Sequence, residues 1–529
     1  MNRRIRFTPN TRTHQGGGIS VLAALTLILA LMFTGLALDT GRLWMAKREL
    51  QRSADMAALA AARYTGCGTT ALQASQAAQN ALSKNKLVGY TLTVQRGVAG
   101  VEATTRYNAF TPQDNELSNA AQVTVKQSVP SSIMAGGLLD DSATLMQATA
   151  TAKGGPPAAT FSIGSFASIT QNQANFINAL FRGILGNSSL NLGVAALTDL
   201  AGTSVNLAAL QAAAGAATIE ELLDRQVPLS QLLQWLATSS PSATAASSLS
   251  QLGSVSLNSG LTVRLRDVLN VQVPASTATA SVDINVLDLV QTSLLVGKGK
   301  GLINIGLNIA GVGGISLNLL NPPKIAVGPA GKYLNGAWCT ATQSAQFSLK
   351  VGLDPFGLGA VNMALFLDLL STSGHLASLN IAPGNNTGQL EVGSTLIGLR
   401  LRNNADTNLA SVGFGLVQVG LNLPIGQATG ATAPFTVISD ASLPMTVQTS
   451  GVGSGTISGL IGQDTSLIVK VLGLGGDLFA PLVNLVVSPL LGLVGEGLIE
   501  PLLQLFGFDI GLVKVRLIDI DAAKPVLIL

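Results

Sequence analysis

From Gly16 to Leu38 the chain runs through 23 residues without a charge, GGGISVLAALTLILALMFTGLAL. At 1.5 Å of rise per helical residue, about 20 apolar residues cross the ~30 Å hydrocarbon core of a bilayer. A cleaved secretory signal has an apolar region of only ~7–15 residues, followed by small residues at the cut. Here the run passes directly into Asp39-Thr-Gly-Arg42 and further helix formers. An uncleaved transmembrane helix is therefore expected over 16–38, behind a basic tail at 1–15. Arg3, Arg4, Arg6 and Arg12 before the run are balanced by Arg42, Lys47, Arg48 and Arg52 after it, so the positive-inside rule gives no orientation. The remainder of the chain is low in charge and rich in Gly, Ser, Thr and Asn, the texture of an exported domain. The expectation is an N-terminus inside and a C-terminal domain outside.

Charge is scarce throughout. Charged residues make up 11% of the 529, less than half of the usual ~25%. Residues 1–55 hold eight Lys/Arg and three Asp/Glu, whereas the rest hold 22 basic and 24 acidic residues. No basic face is left over for phosphates, so nucleic acid is not an expected partner. An apolar content of 47% excludes a wholly disordered chain. Two histidines, His14 and His375, argue against a histidine-based metal or catalytic centre. No Gly-x-Ser-x-Gly elbow, complete phosphate loop or complete Gly-x-Gly-x-x-Gly occurs. Lys298-Gly-Lys300-Gly and Gly331-Lys332 read as turns, and Asp519-Ile-Asp521 has too few neighbouring oxygen ligands for calcium. Neither catalytic residues, nor a cofactor, nor a metal are expected, and the chain does not read as an enzyme. Cys67 and Cys339 are expected to pair: an exported pair is usually oxidised, and each lies in a glycine-containing turn, Gly66-Cys-Gly68 and Gly336-Ala-Trp-Cys339.

Residues 42–64, RLWMAKRELQRSADMAALAAARY, contain no Pro or Gly and continue the helix, with Gly66 as its stop. Leu43, Ala46, Leu50, Ser53, Ala57 and Ala60 form a thin, alanine-rich stripe. Two readings of it are open: packing on the protein's own sheet, or contact with other membrane helices.

The residues Gly16-Gly-Gly-Ile-Ser-Val-Leu-Ala-Ala-Leu, Gly35-Leu-Ala-Leu-Asp39-Thr-Gly-Arg42, Ala46-Lys-Arg-Glu-Leu-Gln51 and Ala54-Asp-Met-Ala-Ala-Leu-Ala-Ala61 resemble the TadE/TadG-like proteins of tight-adherence (Flp) pilus assembly. The motif positions are Asp39, Gly41, Arg42, Leu50, Gln51, Ala54 and Asp55. A weaker likeness runs on to about residue 153. The resemblance implies a pilin-like α/β module over 39–153, residence in a bacterial inner membrane with the C-terminal domain periplasmic, and other pilus-assembly proteins or pilin-like helices as partners. Pseudopilin-type members carry a glutamate five residues after the cleavage glycine. Ala23 stands there in this chain, which argues against pilin-type processing. Some members carry a metal-binding von Willebrand A motif, which neither Asp140-Asp-Ser142-Ala-Thr144 nor Asp440-Ala-Ser442-Leu-Pro444 completes.

Alternating runs such as Thr91–Gln95 and Gln122–Lys126 predict a small antiparallel sheet, and Lys153-Gly-Gly-Pro-Pro157 marks a boundary. Residues 154–250 read as mainly helical, with a capped start at Thr218-Ile-Glu-Glu, Pro228 near the start of a second helix, and a loop at Ser239–Ser250. From 251 to 529 the texture is β-rich. Predicted strands include Leu261–Leu265, Ser281–Asn285, Leu302–Ile309, Ile315–Leu319, Ala345–Val351, Leu396–Leu401, Val417–Leu423, Leu443–Val447 and Val513–Leu517. Leu478–Gly495 is a second uncharged run, broken by Pro481 and Pro489. It is read as a core helix, with a second membrane span as the alternative. The fold class expected is α+β: a transmembrane helix extended into a pilin-like α/β module, then a mixed helical and mainly antiparallel β ectodomain. The function expected is that of a non-enzymatic, single-pass envelope protein supporting Tad/Flp-type pilus assembly. The alternative is an envelope module that binds an apolar ligand or lipid.

Overall fold

A computed structural model describes residues 18–101, 108–132, 143–163, 169–271, 277–307, 312–353, 361–369, 372–382, 384–393, 396–407, 410–412, 417–426, 431–437, 442–448, 468–471, 474–475, 502–503, 508–509 and 512–528. The expected helix at Leu478–Gly495 and the basic tail lie outside the described residues.

The long uncharged run and the helix formers after it fold as one element. Helix α1 spans Gly18–Ala61, 44 residues, and closes in a short 3-10 turn at Ala62–Tyr64. Among the described residues it is the one helix long and apolar enough to cross a membrane. From Ser20 to Leu38 its side chains are exposed, and only Gly35 is covered. The hydroxyls of Thr26, Thr34 and Thr40 donate back to the helix's own carbonyls at Ala23, Ala30 and Leu36. This leaves little polar character on the apolar stretch, as a hydrocarbon surrounding requires.

Below Leu43 the same helix becomes amphipathic and is buried on one side. Leu50, Ala54, Ala57, Ala58 and Ala61 share a core with Ala74, Ala78 and Leu82 of α2 (Ala71–Lys84). The other wall is an antiparallel sheet that presents Ala121, Val123, Val125, Ala148, Ala150 and Ala152. Alanine on both sides lets helix and sheet backbones approach closely. Helix α2 starts on a reciprocal cap, with Thr70 Oγ1 accepting from the Gln73 amide and the Gln73 side chain accepting from the Thr70 amide. The sheet strands are β1 (Tyr90–Val101), β2 (Asn108–Pro112), β3 (Ala120–Pro130) and β4 (Ala143–Lys153), in the order β2-β1-β3-β4. A fifth strand, Val526–Ile528, pairs antiparallel with Thr151–Lys153 of β4. The end of the described chain thus returns to the sheet that holds α1.

After Gly154-Gly155-Pro156-Pro157 the chain enters strand β5 (Ala158–Ile163), all six residues of which are buried. β5 is central in a second sheet, between Leu512–Asp521 and Ile325–Pro329. Helices dominate from α3 (Gln171–Leu185) to Val286–Lys298, and share one large core with the strands beyond. Helical structure therefore continues past Ser250, the expected boundary, and gives way to strands only at Gly301.

Three local expectations are corrected. Ser239–Ser250 is not a loop. Ser242 Oγ accepts from the Ala245 amide and caps a helix, Ala243–Ser256, which buries Ala245, Leu249 and Leu252 at helical spacing. Leu261–Leu265 forms strand only over Thr262–Arg264, then turns into a short helix at Leu265–Val268. The strand predicted at Leu302–Ile309 ends at Asn304. Where alternation is strict the strands are long. Gln346–Leu353 buries Phe347, Leu349, Val351 and Leu353 within a mostly antiparallel sheet that runs from Gly301–Asn304 to Leu474–Gly475. The described residues form an α+β architecture that opens on one membrane-type helix.

Candidate functional site: the junction of anchor helix and sheet

Polar residues concentrate where α1 passes from its bare half to its buried half. Arg42 donates to the backbone carbonyl of Pro130 at the end of β3, and Ser132 donates to the Asp39 carboxylate. One turn further on, Lys47 donates to the Gln147 carbonyl of β4. Next, Gln51 Nε2 donates to the Thr149 carbonyl at 3.2 Å and to Asp55 Oδ1 at 2.8 Å. Gln147 and Thr149 precede Thr151, where the strand Val526–Ile528 takes over the pairing of β4. Helix side chains and that strand together satisfy carbonyls along one edge of the sheet, which an edge strand otherwise leaves open.

The expected motif residues therefore divide by role. Asp39, Arg42 and Gln51 bind the sheet, and Asp55 holds the Gln51 amide. Leu50 and Ala54 are buried against the sheet, and Gly41 faces open space. Of the alanine-rich stripe, Leu50, Ser53 and Ala57 are buried and the rest lie toward the same side. The protein's own sheet and α2 cover the buried part of the stripe. The sequence contained no sign of Ser132 as the partner of Asp39, because that contact joins residues 93 apart.

A second tie binds the module to the β-rich region. Cys67 and Cys339 are joined by a disulfide, with Cα atoms 5.8 Å apart. Gly68 lies beside it at φ +75°, and a Cβ there would meet the Ala330 carbonyl oxygen at 2.6 Å. Only glycine fits both the left-handed backbone and the close approach. Glu116 accepts from the Leu334 amide across the same seam. Behind it Arg96 is buried, donating to Ser118 Oγ and to the Thr69 and Asn115 carbonyls, with Asp114 at 3.6 Å. Burial lowers the Arg96 pKa, while Asp114 and Glu116 oppose that shift.

On the far side of the disulfide, Lys332 lies 4.0 Å from the centre of the Trp338 ring. His375 stacks on Trp338 at 5.1 Å. Burial holds the His375 imidazole below its ordinary pKa. Glu391 opposes the shift and Lys332 adds to it. Lys298, expected in a turn, instead ends the helix Val286–Lys298, with Gly299 capping it at φ +67°, and Lys332 forms an antiparallel bridge to Trp338 just after Gly331 at φ +106°.

An open cleft of about 990 Å³ lies elsewhere, lined by Asp199, Asp283, Asp519, Ser242, Leu443 and Pro444 among others. Its lining mixes three carboxylates with apolar side chains such as Leu443 and Ile518. Burial pushes the Asp283 and Asp519 carboxyls above their usual range, even though the Asp519 carboxylate accepts from the Asp283 amide at 2.8 Å. Asp521 accepts from Ser281 Oγ at 2.6 Å. Among the described residues no group of three His, Cys, Asp or Glu side chains is arranged to hold a metal.

An exposed apolar helix clamped at its base to a small α/β module defines a helix-anchored class of protein. Residues 17–63 match the family model described as putative Flp pilus-assembly TadE/G-like, and residues 60–152 match putative Tad-like Flp pilus-assembly. The N-terminal region is thus TadE/G-like, and these domains support a pilus-related role. Residues 173–295 match a domain of unknown function (DUF8293), a span that runs from α3 nearly to the end of the helix Val286–Lys298. No curated protein and no solved structure matches the chain.

Proposed function

We propose that this chain is a non-enzymatic, single-pass protein of the bacterial inner membrane that supports assembly of a Tad/Flp-type pilus. In this reading its N-terminus is cytoplasmic, and the module and β-rich region are periplasmic. The observation that carries the reading is the change of character along α1: bare and apolar over Ser20–Leu38, clamped to the module from Asp39, and buried on one side from Leu50 onward. With Leu50, Ser53 and Ala57 of the alanine-rich stripe buried, the Ser20–Leu38 stretch is the part of α1 that pilin-like helices pack against within the membrane. The clamp at Asp39, Arg42, Lys47 and Gln51 then makes the helix rigid with the module, so that a shift of the membrane segment moves the periplasmic part with it. The Cys67–Cys339 disulfide fits a compartment outside the cytoplasm.

The test is pilus assembly in cells whose chromosomal copy is replaced by variants. Exchange of Ser20–Leu38 for an unrelated apolar helix of equal length should abolish pili while leaving the protein in the inner membrane. Normal piliation with the exchanged helix would overturn the role of that surface. A reporter active only outside the inner membrane should work when fused after Gly155 and fail at the N-terminus, and N-terminal sequencing should not begin at Ile19.

A further inference from the structure

We infer that the outer face of α1 just beyond the membrane stretch, formed by Trp44, Met45, Arg48 and Arg52, is a phospholipid-headgroup site that prefers anionic lipid. The inference rests on the reading that α1 spans a bilayer. On a helix of 3.6 residues per turn these four residues fall on the side opposite Leu50, Ala54 and Ala57. Trp44 is 62% exposed and Met45 68%. Arg48 and Arg52 are exposed as well. The Arg48 guanidinium lies 5.6 Å from the Trp44 ring centre. Two large apolar side chains left bare beside arginines, directly beyond the membrane stretch, form a surface suited to a partner that is apolar on one side and charged on the other.

Depth identifies the partner. With Leu38 at the edge of the hydrocarbon, Trp44 stands about 9 Å and Arg48 about 15 Å further along the helix. Helical side chains lean toward the N-terminus, here back toward the membrane. The polar layer of a bilayer is roughly 5–8 Å deep on each side. Trp44 and Met45 thus reach that layer, and Arg48 returns to it along its own length. Arg52 stands about one turn above, within the ~8 Å range of electrostatic attraction at physiological salt. Tryptophan favours this layer because its ring is apolar with one polar edge.

Charge argues against a second copy of the chain as occupant. The two nearby basic residues on the sheet side, Arg42 and Lys47, are bound to backbone carbonyls. The outer face keeps Arg48 and Arg52, with Glu49 at its flank and Asp55 accepting from Gln51. Two such faces opposed would set arginine against arginine, whereas lipid phosphate complements both.

The experiment places the full-length protein in nanodiscs with nitroxide-headgroup quencher lipids. The Trp44 signal is the difference between the native chain and Trp44→Phe. Labelled phosphatidylglycerol should quench Trp44 about fivefold more than labelled phosphatidylcholine at equal fraction, the factor expected for one arginine at an anionic surface. Arg48→Gln with Arg52→Gln should bring the ratio to about one while Trp44 stays quenched. Equal quenching by the two lipids in the native chain would overturn the anionic preference. Absence of quenching, or protection of Trp44 together with cross-linked dimers, would overturn the site altogether. Carbonate extraction separates the two readings. A chain that stays with the membrane but shows no quenching leaves the anchor standing, whereas an extracted chain overturns both.

Discussion

Replacing both Cys67 and Cys339 by alanine tests how strongly the module is tied to the rest of the chain. The bridge joins residues 272 apart in sequence. Chain-entropy arguments give about 5–6 kcal/mol for closing a loop of that length, and native bridges typically deliver ~2–4 kcal/mol. The folded state of the double variant keeps its other ties: Gly68 against Ala330, Glu116 on the Leu334 amide, and Val526–Ile528 on β4. The loss should therefore fall at ~2–4 kcal/mol without preventing folding. Urea unfolding of the full chain in detergent, followed by tryptophan emission, would report it as a lowered midpoint. A reductant should bring the native chain to the midpoint of the variant and leave the variant unmoved. A loss below ~1 kcal/mol, or two thiols that alkylate in the unfolded but unreduced native chain, would refute the reasoning.

Four further outcomes are expected. Gly68→Ala forces a left-handed alanine against the Ala330 carbonyl and should cost about 2 kcal/mol or more in the same assay. Leu50→Ala should cost ~2–5 kcal/mol through the cavity it leaves, whereas Trp44→Ala on the opposite face should stay within about 0.5 kcal/mol of the native chain; equal losses would contradict the packing. His375 has its pKa lowered in the fold by burial, so the unfolded chain takes up its proton first. Its contribution is complete above about pH 6.5 and is lost as pH falls below that value. His375→Gln should flatten that acidic limb in a pH series of midpoints. Burial raises the Asp519 carboxyl, so its ionisation opposes folding as pH rises above about 4. Asp519→Asn should raise the midpoint at pH 7 and not at pH 3, and a lowered midpoint at pH 7 would count against it.

The parts of this molecule that the sequence made legible are those whose physics is local. The 23-residue uncharged run, the unbroken helix formers to Tyr64 and the strict alternation of Gln122–Lys126 each have one good structural solution. Ser239–Ser250 misled because its many serines favour turns and caps by bonding to nearby backbone. What decided it was Leu249 and Leu252 finding a core that only the folded chain supplies. Leu261–Leu265 and Ser281–Asn285 alternate well over a few residues, yet short pairings with Gln226–Pro228 and Ser204–Asn206 set their length. In the candidate site, Asp39, Arg42 and Gln51 were visible as a pattern. Their partners are a serine and two main-chain carbonyls from a different part of the chain, and main-chain acceptors leave no trace in side-chain identity. The stack of Lys332, Trp338 and His375 was hidden for the same reason, since it joins a turn to a strand some forty residues on.

The placing of Val526–Ile528 on β4 bears on biogenesis. The helix and the first four strands emerge from the ribosome early, while the strand that completes their sheet is made several hundred residues later. At ~5–20 residues per second, that interval is on the order of tens of seconds. Through it the Thr151–Lys153 edge stands open, a ready template for the wrong strand. The proper strand can cover that edge only after the β-rich region has been made. A chain cut short before Val526 keeps that edge unsealed, which distinguishes it structurally from a copy that carries the strand.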